Sequence, residues 1–111
     1  MRTSLILPTI FTATMLIATS AMADAIDGKW CDGAKQIIIE GPTITLPSGN
    51  KHQGDYTRHT FDLVVPDGEG DAGDRLQMAQ QSEELMHLQR TPKGTDQAGP
   101  VEPWRRCANI S

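Results

Sequence analysis

Residues 36–46, QIIIEGPTITL, carry the clearest structural signal in the chain. Gly41 supplies the positive φ that the first position of a type II′ turn requires, and Pro42 supplies the negative φ of the second. With this pair as the loop, Ile39 faces Ile44 across two strands. One face of the hairpin is then apolar, with the side chains of Ile37, Ile39, Ile44 and Leu46. A slip of one residue would move this set to the opposite face, so the pattern predicts a β-hairpin in a fixed register.

Turn-forming residues interrupt the rest of the chain at short intervals, which is typical of a small sandwich, barrel or meander. Residues 51–66 alternate between apolar and polar positions, so we predict one long strand with a single core face. The predicted core side holds His59, Phe61, Leu63 and Val65. Gly54 is expected to mark the start of the strand or a bulge. The predicted fold class is mostly β, a small antiparallel meander or barrel.

Residues 74–90, DRLQMAQQSEELMHLQR, allow two interpretations. Their composition favours a helix, because Leu, Gln, Met, Ala and Glu are good helix formers. The alternative is a β-hairpin with its turn at residues 81–84. The side chains that would pair across this hairpin are Leu76 and Met78 with Met86 and Leu88. We favour the hairpin because a meander brings the two ends of the chain together, and the helix stays open as the alternative.

The N-terminal segment has the three parts of a secretory signal peptide. Arg2 precedes an apolar stretch at residues 5–18, and Ala21-Met22-Ala23 is a small-x-small cleavage site. A membrane anchor is the alternative. However, the apolar stretch is shorter than the roughly 20 residues that span a bilayer, and Pro8 interrupts it. We therefore predict a signal peptide at residues 1–23.

Cleavage would leave residues 24–111 as a single β-rich domain, periplasmic or secreted, with no integral membrane span. A domain of 88 residues has a marginal core and generally needs an additional constraint. The chain has two cysteines, Cys31 and Cys107, and an oxidising compartment permits one pairing between them. Residues 101–107, VEPWRRC, are predicted to form a final strand that returns Cys107 to Cys31. We therefore predict one disulfide that closes the domain.

The mature chain would be acidic, with nine basic and 14 acidic residues and a net charge of −5. This charge disfavours nucleic acid and anionic membranes as partners, because both require basic patches. The one basic cluster, Arg105-Arg106, is interpreted as a solvated strand edge. Ser48 lies in a turn sequence without a G-x-S-x-G motif, and Asp55 and Asp62 are expected on opposite faces of a strand. We predict a non-catalytic domain without a cofactor, not an enzyme.

Two loops are candidate binding sites. Residues 67–74, DGEGDAGD, alternate acids with glycine, but they lack the Gly and Glu that an EF-hand loop has at its sixth and twelfth positions. A weak calcium site there would use Asp67, Glu69, Asp71 and Asp74, and a solvated acidic turn is the alternative interpretation. The candidate interaction loop consists of Ser48, Gly49, Asn50, Lys51 and His52.

Three short motifs are similar to those of a group of small exported bacterial β-proteins of unknown function. The motifs are G-K-W-C at residues 28–31, G-D-Y-T-R-H-T-F at residues 54–61 and W-R-R-C at residues 104–107. The first and the last frame the mature chain as G-x-W-C and W-x-R-C. This resemblance implies an exported protein with a single disulfide, and it implies no activity.

Two further fragments resemble the periplasmic inhibitors of C-type lysozymes, which are small β-barrels with a structural disulfide. The inhibitory loops of that family carry S-G-x-x-Y and Y-x-x-x-K-G. Ser48-Gly49 and Lys93-Gly94 match parts of these motifs, whereas His52 and Gln89 stand where the family has tyrosine. The resemblance implies that the two loops would inhibit a C-type lysozyme.

These observations predict a monomeric binding domain of the cell envelope, whose partner is an unknown envelope protein or a small ligand. Contact through exposed loops is the first hypothesis. A carrier would instead hold its ligand between sheet faces, and a filled core is the alternative interpretation of that lining. The lining residues are Ile37, Ile39, Ile44, Leu46, Phe61 and Leu63. A periplasmic inhibitor and a weak calcium-binding protein are the two other hypotheses.

Overall fold

The computed structural model describes residues 25–108, and the predicted signal peptide lies outside this part of the chain. The described residues form nine β-strands and no helix, so the prediction of a mostly β fold is confirmed. The strands are β1 Gly28–Asp32, β2 Lys35–Glu40, β3 Thr43–Thr45, β4 Lys51–Gln53, β5 Asp55–Tyr56, β6 Thr60–Val64, β7 Arg75–Gln80, β8 Leu85–Thr91 and β9 Val101–Arg106. Residues 25–108 therefore contain no helix that could span a membrane.

All nine strands belong to one antiparallel sheet, in the order β4-β3-β2-β1-β9-β8-β7-β6-β5. The first and last strands of the chain, β1 and β9, lie side by side in the middle of this order. The two edge strands, β4 and β5, are separated in the chain only by Gly54. The chain itself therefore joins the two edges, and the sheet curls into a nearly closed barrel that leaves little edge exposed.

Backbone pairing between β1 and β9 is short. These strands pair only through Trp30 with Arg106 and Cys31 with Arg105, whereas β9 pairs with β8 from Val101 to Arg105. Pro103 lies in the part of β9 that has a neighbour on one side only. Proline has no N–H to donate, so it is tolerated at a position where one neighbouring strand is missing.

The predicted disulfide is confirmed. Cys31 in β1 is bonded to Cys107, which directly follows β9, and their Cα atoms are 4.9 Å apart. The backbone N–H of Cys107 also donates to the carbonyl of Lys29 at 3.1 Å. The bridge therefore links the first strand to the last where backbone pairing between them is sparse.

The predicted hairpin at residues 36–46 is confirmed, including its register. Ile39 faces Ile44 and Glu40 faces Thr43. Gly41 has a φ of 58°, which is the positive value that the turn requires. The four apolar side chains that were predicted to share one face are all buried: Ile37, Ile39, Ile44 and Leu46.

Residues 74–90 form the hairpin β7–β8, so the helical alternative is wrong. Met78 faces Leu88 and Gln80 faces Met86, with the turn at residues 81–84. Four side chains of the hairpin point into the core: Leu76, Met78, Met86 and Leu88. The apolar positions alternate with a period of two, and packing on both neighbouring strands outweighs the weak helix propensity of the composition.

Residues 51–66 differ from the single strand that was predicted. The segment divides into β4, β5 and β6, with a break at Gly54 and a turn at residues 57–59. Tyr56 consequently faces Phe61 across β5 and β6 and packs against the core, whereas His59 is exposed in the turn. Asp55 faces Asp62 in the same register, so the expectation that these two acids lie on opposite faces is wrong. At Gly54 a Cβ atom would lie 2.5 Å from Cε1 of Phe61, so only glycine permits this close approach of backbone to ring.

Candidate functional site

The two ends of the barrel differ in the length of their connections. Because successive strands run in opposite directions, connections alternate between the ends. The sealed end is formed by residues 25–27 with the short turns at 41–42, 57–59 and 81–84. The open end carries the turn at residues 33–34 and three longer loops, at residues 46–50, 65–74 and 92–100. Both loops that the sequence singled out therefore lie at the open end.

The segment that precedes β1 seals one end of the barrel. The side chain of Ile26 is fully buried, and its carbonyl accepts a hydrogen bond at 2.8 Å from Nε1 of Trp30. The carboxylate of Asp27 accepts a hydrogen bond from the hydroxyl of Tyr56, and this contact raises the pKa of Tyr56. The sealed end is thus packed with apolar and hydrogen-bonded side chains.

Arg106 also belongs to the sealed end, and its interpretation as a solvated edge residue is wrong. Its guanidinium stacks on the ring of Trp30, 4.0 Å from the centroid. It donates to three backbone carbonyls, those of Ala25, Asp27 and Glu83. Burial lowers the pKa of Arg106. Only the neighbouring Arg105 is exposed, as expected for an edge residue.

A cavity of about 230 Å³ lies at the open end. The apolar residues that line it are Ile37, Leu46, Pro47, Leu76, Leu88 and Trp104. The polar residues that line it are Lys35, Ser48, Glu69, Asp71 and Arg90. The mouths of β-barrels commonly bind small molecules with this combination of an apolar lining and a few polar groups.

The carboxylate of Glu69 connects the two loops that were predicted separately as candidate sites. Its Oε2 atom accepts hydrogen bonds from Ser48 Oγ at 3.0 Å, Asn50 Nδ2 at 2.9 Å and His52 Nε2 at 2.8 Å. Only 6% of the Glu69 side chain is exposed, against 19% for His52. The hydrogen bonds from His52, Asn50 and Ser48 lower the pKa of Glu69, because they stabilise its charged form.

These contacts fix the conformation of an interaction loop whose residues are mostly exposed. Ser48, Gly49, Asn50 and Lys51 are all exposed. The Asn50 N–H donates to Ser48 Oγ at 3.2 Å, and Gly49 adopts a φ of 91°. We call residues 48–52 together with the Glu69 carboxylate the braced loop.

The four acids of the predicted calcium site do not gather around one point. Glu69 belongs to the braced loop. Asp71 and Asp74 both accept hydrogen bonds from Arg90, at 2.5 and 3.4 Å, and Asp74 also accepts from the Lys93 N–H at 2.9 Å. Within residues 25–108 no group of three or more His, Cys, Asp or Glu is arranged to hold a metal ion. The calcium hypothesis stays a prediction, and three of these acids, Glu69, Asp71 and Asp74, have protein partners.

The predicted carrier site between sheet faces is a packed core. All six of its proposed lining residues are at most 5% exposed: Ile37, Ile39, Ile44, Leu46, Phe61 and Leu63. Only Ile37 and Leu46 also line the cavity. The cavity at the open end is therefore largely distinct from the site that was predicted between the sheet faces.

Sequence reasoning missed Lys35, Arg90 and Trp104 as lining residues of the cavity. They belong to β2, β8 and β9, which are far apart in the chain and meet only because the sheet curls. No spacing motif joins them. The presence of two tryptophans in a short chain was the one available signal, and it indicated core packing as readily as a binding site.

Comparisons of the chain with protein-family models, with curated proteins and with solved structures gave no match.

Proposed function

We propose that this chain is an exported, monomeric and non-catalytic binding domain of the cell envelope, which contacts a partner protein through the braced loop. The observation that carries the proposal is the set of three hydrogen bonds on the Glu69 carboxylate. They hold an exposed loop in one conformation before any partner arrives. A preorganised loop loses less conformational entropy on binding, which favours affinity.

The compartment follows from two separate features. The N-terminal segment has the parts of a signal peptide, and the Cys31–Cys107 bridge is stable in an oxidising environment. A periplasmic or secreted location agrees with both. Edman or mass-spectrometric determination of the N-terminus of the exported protein tests this: Asp24 is the expected first residue.

Site-specific photo-crosslinking in intact cells tests the contact surface. A benzophenone amino acid replaces Lys51 in the braced loop, and a control variant carries it at Glu83, which is exposed at the sealed end. We expect a discrete cross-linked product from position 51 that is absent from position 83. Adding the substitution Glu69→Gln should abolish the product, because the loop is no longer held. Equal products from both positions, or a product unaffected by Glu69→Gln, would refute the proposal.

A small-ligand carrier is the second candidate, and the cavity at the open end favours it. Its volume of about 230 Å³ is below the roughly 300–1,000 Å³ of sites for drug-sized ligands, so a ligand would be smaller than a drug molecule. Native mass spectrometry of gently purified protein is the test. A retained organic adduct would support the carrier, and a clean spectrum from several preparations would count against it.

An inhibitor of C-type lysozymes is a particular form of the first candidate. Two features support it: the barrel carries a structural disulfide, and residues 48–49 and 93–94 lie at the same end of the barrel. The absence of both family tyrosines, replaced by His52 and Gln89, makes the test necessary. A lysis assay with micromolar protein and a C-type lysozyme should show inhibition, and full lysozyme activity would eliminate this partner.

A further inference from the structure

We propose that the cavity at the open end binds a small carboxylate with a short apolar body, whose charge is met by Lys35 and whose body lies against Trp104. The inference rests on the small-ligand carrier, the second candidate function, and it names the class of ligand. It does not depend on the braced loop contacting a protein.

Lys35 is the first reason for choosing an anion. Its ammonium lies 5.8 Å from the centroid of the Trp104 ring, and it forms no ion pair with any carboxylate of residues 25–108. An ammonium above an aromatic ring that lines the cavity is attracted to the ring but retains donors for a ligand. An entering carboxylate would contact it without breaking an existing ion pair.

The other charged residues that line the cavity are already engaged. Arg90 donates to Asp71 and Asp74, and Glu69 Oε2 accepts three hydrogen bonds within the braced loop. A ligand ammonium would have to compete with Arg90 or with the donors of the loop. A ligand carboxylate meets the one lining cation that has no carboxylate partner.

Trp104 supplies the second reason. Its indole Nε1–H is buried and has no acceptor within the described residues, although buried donors are generally satisfied. The other tryptophan, Trp30, donates at 2.8 Å to the carbonyl of Ile26 at the sealed end. Trp104 lines the cavity, so a ligand oxygen that reached Nε1 would satisfy this donor.

The size of the cavity limits the ligand. A volume of about 230 Å³ is below the roughly 300–1,000 Å³ of sites for drug-sized ligands, so the ligand is a small molecule with a short chain. Hexanoate has this size, hexanamide is its neutral isostere, and hexylammonium carries the opposite charge on a similar chain.

Nuclear magnetic resonance of the oxidised, ¹⁵N-labelled protein is the test. The spectrum contains two indole N–H signals, from Trp30 and Trp104, and Trp104→Phe assigns them. Hexanoate, hexanamide and hexylammonium are titrated separately. We expect hexanoate to bind about tenfold more tightly than hexanamide, the increment of a charge-assisted hydrogen bond. The Trp104 signal should move downfield while the Trp30 signal stays in place.

Two variants complete the experiment. Lys35→Gln should remove the preference for hexanoate over hexanamide. Lys29→Gln is the matched control, because Lys29 is exposed on β1 and does not line the cavity, and it should keep the preference.

Each contrary outcome has a definite meaning. Equal binding of hexanoate and hexanamide, or tighter binding of hexylammonium, would overturn the carboxylate inference and leave the carrier standing. A preference that survives Lys35→Gln, or a Trp104 signal that does not move, would overturn the assigned residues. Failure of all three compounds to bind would overturn the inference, and the carrier would then depend on the native mass spectrum alone.

Discussion

Glu69 and His52, 17 residues apart in the chain, are joined by a hydrogen bond of 2.8 Å from the imidazole Nε2–H to the carboxylate. The contact links the loop at residues 65–74 to the strand that follows residues 46–50. It joins the two loops at the open end of the barrel into one structural unit. This unit, the braced loop, is the surface that we propose for binding.

Removing the charge of Glu69 is expected to release the braced loop. In Glu69→Gln the three donors from Ser48, Asn50 and His52 lose their charged acceptor, and charge-assisted hydrogen bonds are stronger than neutral ones. Hydrogen exchange of the backbone amides at residues 48–50 should accelerate and the thermal midpoint should fall. Asp67→Asn, at an exposed position of the same loop, is the control. Unchanged exchange in Glu69→Gln would show that the loop is held by its own turn alone.

The pH dependence of stability follows from the same carboxylate. Its pKa is lowered in the folded state from the ordinary value of 4.5, so the unfolded chain takes up a proton first as pH falls. The stabilisation by Glu69 is therefore complete above about pH 4.5 and is lost as pH falls through the lowered folded pKa. Urea denaturation of the native protein and Glu69→Gln at several pH values measures this. A stability difference that stays constant down to about pH 2 would contradict it.

The disulfide is expected to contribute a large share of the stability. It closes a separation of 76 residues, and loss of a native bridge from a small exported domain typically costs about 2–5 kcal/mol. We expect this loss when Cys31 and Cys107 are both replaced by serine, measured by urea denaturation. A cost below about 1 kcal/mol would mean that the few backbone pairs between β1 and β9 suffice.

Gly54 is expected to resist substitution. A Cβ there would lie 2.5 Å from Cε1 of Phe61 and 2.7 Å from the carbonyl oxygen of Asp62. Gly54→Ala should therefore destabilise the protein by about 1–3 kcal/mol through overpacking. Gly70→Ala, where a Cβ would meet nothing within 4 Å, should change stability by less than about 0.5 kcal/mol. Equal effects of the two substitutions would remove the steric explanation.

The two neighbouring arginines are expected to differ. Arg106→Lys loses the planar group that donates to three carbonyls and stacks on Trp30, which should cost about 1–3 kcal/mol. Arg105→Lys, at an exposed position, should be neutral within about 0.5 kcal/mol. Thermal or chemical denaturation compares them. If Arg105→Lys proved the more damaging, Arg106 would have no special role at the sealed end.

Local pattern was sufficient to predict much of the barrel. Alternation with a period of two identified the face of Ile39 and Ile44, and Gly41-Pro42 set their register, because a side chain on a strand points to a face decided by its own position. The same alternation failed at residues 51–66. It could not reveal that the strand breaks at Gly54 and that the chain turns again before Thr60. The close approach of Gly54 to the ring of Phe61 is a contact between two strands, and alternation within one strand does not encode it.

The sequence by itself determined the β class, the hairpin at residues 36–46 and the pairing of Cys31 with Cys107. The first two depend on residues that are neighbours in the chain, and two cysteines allow only one disulfide. The tertiary structure alone decided which end of the barrel is sealed, that Glu69 braces the interaction loop, and that Lys35 lies over Trp104. These contacts join residues that are far apart in the chain. They depend on the order and the curl of the strands in the sheet, and no local spacing encodes distances across a nearly closed barrel.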